Sequence, residues 1–232
     1  MERYWVVFIT INCNGMPIPS SDFLLEHLYR PATPSEKPPA VLFLLHGYGS
    51  NKEDLFSFAS YLPTQFAVIA LNAPIALPFG GYAWYDLQFT ANMERLSNYE
   101  QANESLNQIQ QNIIHFCNHY QLDSQRVSCL GFSQGAILCW ALGLDQPNLV
   151  QQTLGLSGVI DPELLKKPVS TYRNTIAFAS HGKEDATIPI HYARETVGLL
   201  ADNNPEVLFK EYPVGHTIAQ DNFSDLIRWL VR

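Results

Sequence analysis

The stretch "SCLGFSQGAIL" (residues 128–138) places Ser133 between Gly131 and Gly135, where an apolar run changes its period. The residues before the serine predict a buried strand, and those after it predict a buried helix. A G-x-S-x-G turn at such a junction is tight enough to strain the serine backbone and to push its Oγ out of the sheet. Side chains at positions 131 and 135 would clash in this turn, so the geometry needs Gly131 and Gly135. The pattern therefore predicts a nucleophilic serine at position 133.

By itself this pattern has low specificity, because a chain of this length contains it by chance about one time in ten. The alternative is a capping serine beside two glycines that allow helix packing. The strand directly before the motif and the helix directly after it favour the nucleophile. Such a serine also needs an acid and a histidine, which follow it along the chain in that order.

Seven histidines compete for the role of the base. His216, in "YPVGHTIA", follows a predicted strand and a glycine and precedes the last predicted helix, so a loop can carry it to the serine. The alternative is an exposed loop histidine without a role. His115 and His119 lie four residues apart on a predicted helix, which raises the question of a zinc site. No Glu follows His115 as in H-E-x-x-H, so a solvated helix edge is the preferred interpretation.

The acid is predicted in "IAFASHGKEDATIPI", where Asp185 follows a strand and a glycine turn. Glu184 is adjacent, but a tight turn directs only one of the two carboxylates inward. Asp161, in "LSGVIDPE", is the rival, and its alternative role is to cap a helical turn that begins with proline. Asp185 is preferred. Its role would be to hold the tautomer of His216 and to stabilise the imidazolium.

When such a serine attacks a carbonyl group, negative charge develops on the carbonyl oxygen, and two N–H donors are needed to stabilise this oxyanion. One is predicted to be the backbone N–H of Gln134, directly after the nucleophile. The other is expected from "LLHGYGSN", the loop after an earlier core strand, where Gly47 and Gly49 let the backbone turn toward the site. This indicates Tyr48 as the second donor. His46 is predicted to brace the loop by hydrogen bonds.

The elements that must position these residues are short apolar runs that alternate with helical patterns. Strands without alternation are buried on both faces, and helices between them imply a mostly parallel sheet covered on two sides. Ligands of such sheets bind at the carboxyl ends of the strands, where every motif above falls. The predicted strands are an outer strand in "FLLEHLYRP" and runs at 40–45, 66–71, 127–130, 153–157, 175–180 and 207–211; the predicted helices are 55–62, 98–121, 134–144, 190–201 and 219–231.

The length and composition predict a single large domain. The Pro/Ser cluster "MPIPSSD" ends an N-terminal extension or extra strand over residues 1–22, so the domain is predicted over 23–232. The chain has 232 residues, 47% of them hydrophobic, which excludes a disordered chain. The net charge is -8 and no Lys/Arg cluster occurs, so nucleic acid and anionic membranes are not expected partners. The apolar run "YWVVFITINC" is too short to span a membrane, so no stable membrane insertion is expected.

The four cysteines are spread along the chain, and no pair has the spacing of metal ligands. Three of them lie in apolar helix or strand patterns and are interpreted as small buried hydrophobic residues of a protein in a reducing compartment, which predicts a cytoplasmic location. A lipid anchor at Cys13 is the alternative, although Asn12 is a poor residue before such a cysteine. No cofactor and no metal is expected. A homodimer is compatible with the sequence.

Taken together, the motifs resemble those of the phospholipase/carboxylesterase family of α/β-hydrolases, which includes bacterial carboxylesterases and acyl-protein thioesterases. The likeness extends from about residue 24 to the C-terminus. It implies an α/β-hydrolase fold, a triad of Ser133, Asp185 and His216, and an aromatic residue near the site at Trp84. The motifs that carry it, in chain order, are "LLHGYGSNKEDLFSFA", "AP" at 73–74, "AWYDL" at 83–87, "GFSQGA", "GLSG", "SHGKEDATIP" and "GHTI".

No insertion between the predicted core strands is long enough for a large cap domain, since the stretch from Val159 to Thr175 has only 17 residues. The segment 72–89 is the only long irregular stretch near the predicted site, and it is rich in Pro, Gly and aromatic residues. It is expected to line a shallow, open groove, and one or two of its aromatics are expected in the core instead. The predicted substrate contacts are Phe79, Trp84, Tyr85, Ile188 and Ile218.

These observations predict a serine carboxylesterase that hydrolyses small-molecule esters of short to medium acyl chain through an acyl-enzyme, without interfacial activation. Thioesters are included among the expected substrates. The loop "GYGSN" differs from the "G-L-G-D" form usual in acyl-protein thioesterases, which favours a small-molecule esterase. The alternatives are an acyl-protein thioesterase or lysophospholipase, and a non-catalytic ligand-binding protein of the same fold.

Overall fold

The computed structural model describes residues 24–89 and 95–232. The predicted N-terminal extension, residues 1–22, and Cys13 lie outside the described residues. Seven strands form one central sheet in the order β1-β3-β2-β8-β9-β10-β11. Its strands are β1 (His27–Arg30), β2 (Ala40–Leu45), β3 (Phe66–Leu71), β8 (Val127–Phe132), β9 (Gln152–Leu156), β10 (Ala177–Gly182) and β11 (Val207–Tyr212).

The sheet is parallel from β3 to β11, and β1 pairs with β3 in the antiparallel direction at one edge. Every residue of β2 and of β3 is buried, as their uninterrupted apolar sequences predict for strands covered on both faces. These two strands have the predicted bounds. The other five agree in existence and order with the prediction and differ from it at their ends.

Helices cover both faces of this sheet, which confirms the predicted α/β-hydrolase architecture. On one face, alternate residues of β2 pack against α2 and α3, and on the other face the intervening residues pack against α1 and α6. The segment from α4 to α5 covers the end of the sheet that contains β10 and β11. The helices are α1 (Lys52–Phe56), α2 (Tyr99–His119), α3 (Gln134–Asp145), α4 (Ile190–Ala193), α5 (Leu199–Asn203) and α6 (Gln220–Leu230).

Two of the predicted helices differ from the observed ones. The helix predicted over 55–62 begins earlier, because the Asn51 side chain accepts a hydrogen bond from the N–H of Asp54, and it is followed by a separate 3₁₀ turn, Ala59–Tyr61. The helix predicted over 190–201 is divided by a π-helical turn, Arg194–Gly198, between α4 and α5. A local hydrophobic pattern does not reveal a change in helical pitch of this kind.

The segment 72–89, predicted to be irregular, contains parts of two small antiparallel ladders. β4 (Ile75–Ala76) pairs with β5 (Tyr82–Ala83), and β6 (Leu87–Phe89) pairs with β7 (Arg95–Ser97). Each strand has only two or three residues, which is too short for an alternating pattern to be recognised in the sequence.

No helix of the described residues is both long enough and apolar enough to cross a membrane. The longest, α2, has one apolar stripe, and its residues Leu106, Ile109, Ile113 and Phe116 are buried against the sheet. The three cysteines within the described residues are buried and form no disulfide, as expected for small hydrophobic residues.

Candidate active site

Ser133 lies at the turn between β8 and α3 with a backbone φ of 52°, a conformation that residues with a β-carbon rarely adopt. Its own N–H donates to the carbonyl of Leu156 on β9 at 2.9 Å, which anchors the turn to the sheet. A β-carbon at Gly131 would lie 2.3 Å from the carbonyl oxygen of Gly135, and one at Gly135 would lie 2.1 Å from that of Leu45. Both glycines are therefore required by the close approach of neighbouring backbone.

Three predicted residues form one continuous line of hydrogen bonds. His216 Nε2 lies 2.9 Å from Ser133 Oγ, and His216 Nδ1 lies 2.7 Å from Asp185 Oδ2. With Nδ1–H donating to the carboxylate, Nε2 is the acceptor for the serine hydroxyl. The carboxylate is fully buried, whereas the His216 side chain is 19% exposed. The loops after β8, β10 and β11 carry these residues, and the carboxyl ends of these parallel strands lie at the same edge of the sheet, which brings the residues together.

Asp185 is fixed in its turn by the backbone that follows it. Its Oδ1 accepts from the N–H of Thr187 at 2.9 Å and from that of Ile188 at 2.8 Å. The other two candidate acids are directed elsewhere. Glu184 is exposed, and the carboxylate of Asp161 accepts from the N–H of Glu163 at the start of a 3₁₀ turn. Asp161 thus has the capping role that the sequence suggested as its alternative.

The two predicted oxyanion donors have free backbone N–H groups. Among the described residues, neither the N–H of Tyr48 nor that of Gln134 donates a hydrogen bond. The loop that carries Tyr48 packs directly on the nucleophile turn, since a β-carbon at Gly47 would lie 3.4 Å from Ser133 Cβ. The next glycine, Gly49, adopts a φ of 78° and donates to the carbonyl of Tyr82 at 2.9 Å. In the described part of the chain both predicted donors are therefore unpaired, and both residues line the cleft together with Ser133.

His46 braces this loop from within the core, as predicted. Its Nδ1 donates to the carbonyl of Gly47 at 2.8 Å, and its Nε2 accepts from the N–H of Ala73 at 3.0 Å. Burial of the ring lowers the pKa of His46 below its usual value, and the hydrogen bond to Gly47 opposes this shift. The neutral ring is required, because a protonated Nε2 could not accept from Ala73.

The structure corrects three of the predicted substrate contacts. Trp84 is fully buried, and its indole N–H donates to the carbonyl of His46 at 2.9 Å, which turns the ring into the core. Phe79 is 73% exposed at the hairpin tip and does not line the cleft at the serine. Ile218 packs against the hydrophobic cluster on the α1 and α6 face. Tyr85 and Ile188 do line the cleft.

The cleft beside Ser133 has a volume of about 960 Å³. This volume is near the upper end of the range for ligand sites. The space arises because two further segments rise beside the serine, one after β9 and one after β10. The lining residues are Tyr48, Tyr85, Leu87, Ser133, Gln134, Val159, Ile160, Asp161, Pro162, Ala186, Thr187, Ile188, Pro189, Tyr192, Thr196 and His216.

Sequence reasoning missed these two walls, which consist of residues 159–162 and of Tyr192 and Thr196. The walls are joined where the N–H of Ile160 donates to the Thr196 hydroxyl at 3.2 Å. Both follow strands at the carboxyl edge of the sheet, and this position was the available signal. A second cleft, of about 910 Å³, contains residues that precede β2, β3 and β8, and no residue of the Ser133–His216–Asp185 line contacts it.

Among the residues that the structure describes, no group of three or more His, Cys, Asp or Glu side chains could hold a metal ion. The rings of His115 and His119 stack with their centroids 5.7 Å apart on α2. His119 is exposed, in agreement with its interpretation as a helix edge.

Comparison with known proteins places the geometry in a family context. Residues 30–231 match the family model described as phospholipase/carboxylesterase. Acyl-protein thioesterase 1 of Mycosarcoma maydis is 25% identical over 223 residues, covering 84% of this chain and 91% of that protein. Two solved structures share the fold. Esterase PE8 has a TM-score of 0.74 and 24% sequence identity, and the match covers 89% of this chain and 98% of the esterase. The Bacillus cereus carboxylesterase has a TM-score of 0.76 and 18% sequence identity, and the match covers 91% of this chain and 95% of that protein.

Proposed function

Because this chain belongs to the phospholipase/carboxylesterase family, whose members are serine hydrolases, we propose that it is a carboxylesterase that forms an acyl-enzyme on Ser133. The observation that carries the proposal is the line of hydrogen bonds from Ser133 through His216 to Asp185. The line begins at a strained serine and ends at a buried carboxylate, and it borders an open cleft of about 960 Å³.

The first half of the reaction is acylation. Ser133 Oγ attacks the ester carbonyl carbon while His216 Nε2 takes the hydroxyl proton. Asp185 Oδ2 keeps the proton on Nδ1 and stabilises the imidazolium that forms. The developing oxyanion lies between the N–H groups of Tyr48 and Gln134, and the N-terminus of α3 adds its positive end. His216 then protonates the leaving alkoxide, and the alcohol departs.

The second half is hydrolysis of the acyl-enzyme. Water takes the place of the alcohol, and His216 removes its proton as the water oxygen attacks the acyl carbon. The same two N–H groups stabilise the second oxyanion. Collapse of this intermediate breaks the bond to Ser133 Oγ, which regains its proton from His216. The carboxylic acid leaves, and the enzyme returns to its starting protonation state.

The cleft walls support a preference for neutral esters. Asp161 is the only Asp, Glu, Lys or Arg among the lining residues that the structure describes. Among these described lining residues, no Lys or Arg is present to bind a phosphate or carboxylate group on a substrate. Val159, Ile160 and Ile188 provide apolar surface for an acyl chain. Short- to medium-chain carboxylic esters match this lining, and the opening of the cleft to solvent supports activity without interfacial activation.

Thioester hydrolysis is the second candidate activity. The likeness to acyl-protein thioesterase 1 of Mycosarcoma maydis favours it, and the acylation chemistry is the same for a thiolate leaving group. A cytoplasmic location is part of the proposal as well, and the unpaired state of the three described cysteines supports a reducing compartment.

The test uses 4-nitrophenyl acetate, butyrate and octanoate, with a butyryl thioester for comparison. We expect a burst of nitrophenol equal to the number of active sites, then steady turnover, and neither in Ser133→Ala. A fluorophosphonate probe should label Ser133 alone. Full activity in Ser133→Ala, or binding of esters without any turnover, would reject the esterase, the latter in favour of a non-catalytic receptor. The ratio of thioester to ester turnover decides between the two candidate activities.

A further inference from the structure

Phe132, the residue directly before the nucleophile, packs its ring against the ring of His216. The two ring centroids lie 4.9 Å apart and the ring planes are inclined by 53°, a separation within the range of favourable aromatic pairs. Phe132 is the last residue of β8, so its side chain lies on the same face of the sheet as that of Leu130. On this face packs α6, and the loop that leads into α6 carries His216. Strand alternation therefore places an aromatic ring beside the base.

The ring of Phe132 is itself held by two parts of the protein. It packs against the hydrophobic cluster that contains Leu130 and residues of α6. A β-carbon at Gly47 would lie 3.3 Å from Phe132 Cδ1, so the loop of Tyr48 also limits the ring. Phe132 is half-buried, and it is not among the described residues that line the cleft. An ester in the cleft can thus reach His216 without contacting Phe132.

The hydrogen bonds of His216 leave one motion of its ring unrestrained. Nδ1 bonds to Asp185 and Nε2 bonds to Ser133, and the ring can pivot about the line that joins these two contacts. The serine hydroxyl rotates to suit its partner, so it follows such a motion and does not oppose it. Packing against Phe132 blocks the pivot on one side.

This restraint matters most in the acyl-enzyme. Once Ser133 Oγ carries the acyl group, it has no hydrogen to donate to His216 Nε2. The bond to Asp185 and the packing on Phe132 then hold the ring. His216 must nevertheless stay in place, because it takes the proton from the attacking water.

We propose that Phe132 is a positioning residue, which keeps the ring of His216 aligned above all during hydrolysis of the acyl-enzyme. The proposal rests on the proposed function. It assigns to the residue between Gly131 and Ser133 a role in the second half of the reaction. An aliphatic side chain of similar polarity fills less of this space and has no ring to meet the imidazole.

The test compares Phe132→Leu, which removes the ring, with Phe132→Tyr, which keeps it. Phe58→Leu is the matched control, because Phe58 is also half-buried, packs on the same hydrophobic cluster and pairs with an aromatic ring, that of Phe223, at 5.0 Å. The two leucine variants thus lose the same group from one cluster. Urea unfolding should show a similar loss of stability in both, and the burst with 4-nitrophenyl butyrate should count a full set of active sites.

We expect Phe132→Leu to lower kcat on the order of tenfold, part of the factor of about one hundred or more that a well-placed general base contributes. The burst should slow less, because the Ser133 hydroxyl still helps to hold His216 during acylation. The ratio kcat/KM reports acylation, so it should fall less than kcat, and KM should fall as well. Phe132→Tyr and Phe58→Leu should retain the wild-type constants.

A purely structural role would give a different pattern. Loss of folded enzyme would lower the burst amplitude and would reduce kcat and kcat/KM by the same factor. Equal reductions of kcat and kcat/KM would therefore overturn the proposal. So would a kcat in Phe132→Leu no lower than in Phe58→Leu, or equal losses in Phe132→Leu and Phe132→Tyr.

A second readout needs no turnover. Ser133→Ala removes the hydroxyl, as acylation does, and crystal structures of this variant with and without Phe132→Leu show where the ring of His216 lies. Ser133→Ala alone should keep the ring against Phe132, and the double variant should displace His216 Nε2 by about 1 Å or more, enough to impair catalysis. An unmoved ring in the double variant would reject the inference about Phe132. A displaced ring together with a wild-type protein that hydrolyses no ester would instead reject the proposed function alone.

Discussion

The side chain of Gln134 joins the nucleophile turn to the backbone of Trp84. Its Oε1 accepts from the N–H of Trp84 at 2.9 Å, and its Nε2 donates to the carbonyl of Tyr85 at 2.7 Å. The residue whose own N–H is proposed to bind the oxyanion therefore also fixes the segment that supplies Tyr85 to the cleft. The nucleophile turn and this wall are held as one unit.

Replacing Gln134 with Leu should destabilise the protein and loosen this wall. Two buried backbone groups would lose their partners, which should cost about 2–4 kcal/mol in the free energy of unfolding, and KM should rise. Urea unfolding and ester kinetics measure the two effects. Gln101→Leu is the control, because its side chain makes a similar bond to the N–H of Asp86 in a less buried place. Equal effects of both variants would contradict the special role of Gln134.

The identity of the acid can be tested by replacing each candidate with its amide. Asp185→Asn should lower kcat on the order of ten-thousand-fold, because the amide cannot hold the required tautomer of His216. Asp161→Asn should retain turnover near the wild-type level, since its carboxylate caps a 3₁₀ turn. Single-turnover measurements of nitrophenol release give both rates. A larger loss in Asp161→Asn would mean that Asp185 is not the acid.

Two adjacent glycines at the β4–β5 turn provide a matched pair for testing the loop of Tyr48. Gly80 and Gly81 both have positive φ, 94° and 75°. A β-carbon at Gly81 would lie 2.0 Å from the carbonyl oxygen of Gly49, whereas one at Gly80 would have no atom within 4 Å.

Gly81→Ala should therefore displace the loop and lower kcat by about tenfold or more, while Gly80→Ala should lose only about 1 kcal/mol of stability through backbone strain. Kinetics and urea unfolding of the two variants are sufficient. If both reduce kcat alike, the position of the Tyr48 loop is not what limits the rate.

Stability should decrease below neutral pH partly because of His46. Burial lowers the pKa of His46 in the folded protein, so the unfolded chain, with a pKa of about 6.5, binds the proton first. The contribution of His46 is complete above that pH and is lost as the pH falls below it. The free energy of unfolding, measured with urea at several pH values between 7 and 5, should fall less with decreasing pH in His46→Gln than in the wild type. A residual slope is expected from His27, whose pKa burial also lowers.

Acyl-chain selectivity should depend on the cleft walls and not on Trp84. Tyr192→Ala removes an aromatic side chain that lines the cleft, and with it contacts that a long acyl chain can make. KM should therefore rise more for octanoate than for acetate esters. Trp84→Ala should instead destabilise by about 3–5 kcal/mol and affect all chain lengths equally, since its ring is buried in the core. If KM depended on acyl-chain length only in Trp84→Ala, Trp84 would have to be assigned to the substrate site.

The sequence by itself determined the G-x-S-x-G turn at Ser133, the positions of Asp185 and His216 in the loops that meet it, and the parallel sheet that carries them. These depend on local patterns. A strand buried on both faces has an uninterrupted apolar sequence, as in Ala40–Leu45, and the close approach of backbone at the turn requires glycine two residues before and two residues after Ser133. The polar ends of successive strands then meet at one edge, because parallel strands all end on the same side.

Only the tertiary structure decided which side chains of these loops face the substrate. Trp84 and Tyr85 are neighbours in one aromatic segment, yet only Tyr85 lines the cleft. Their backbone is fixed by Gln134, about fifty positions away, and the indole N–H of Trp84 by His46. Hydrogen bonds between distant segments fix these orientations, and a local sequence pattern contains no record of them.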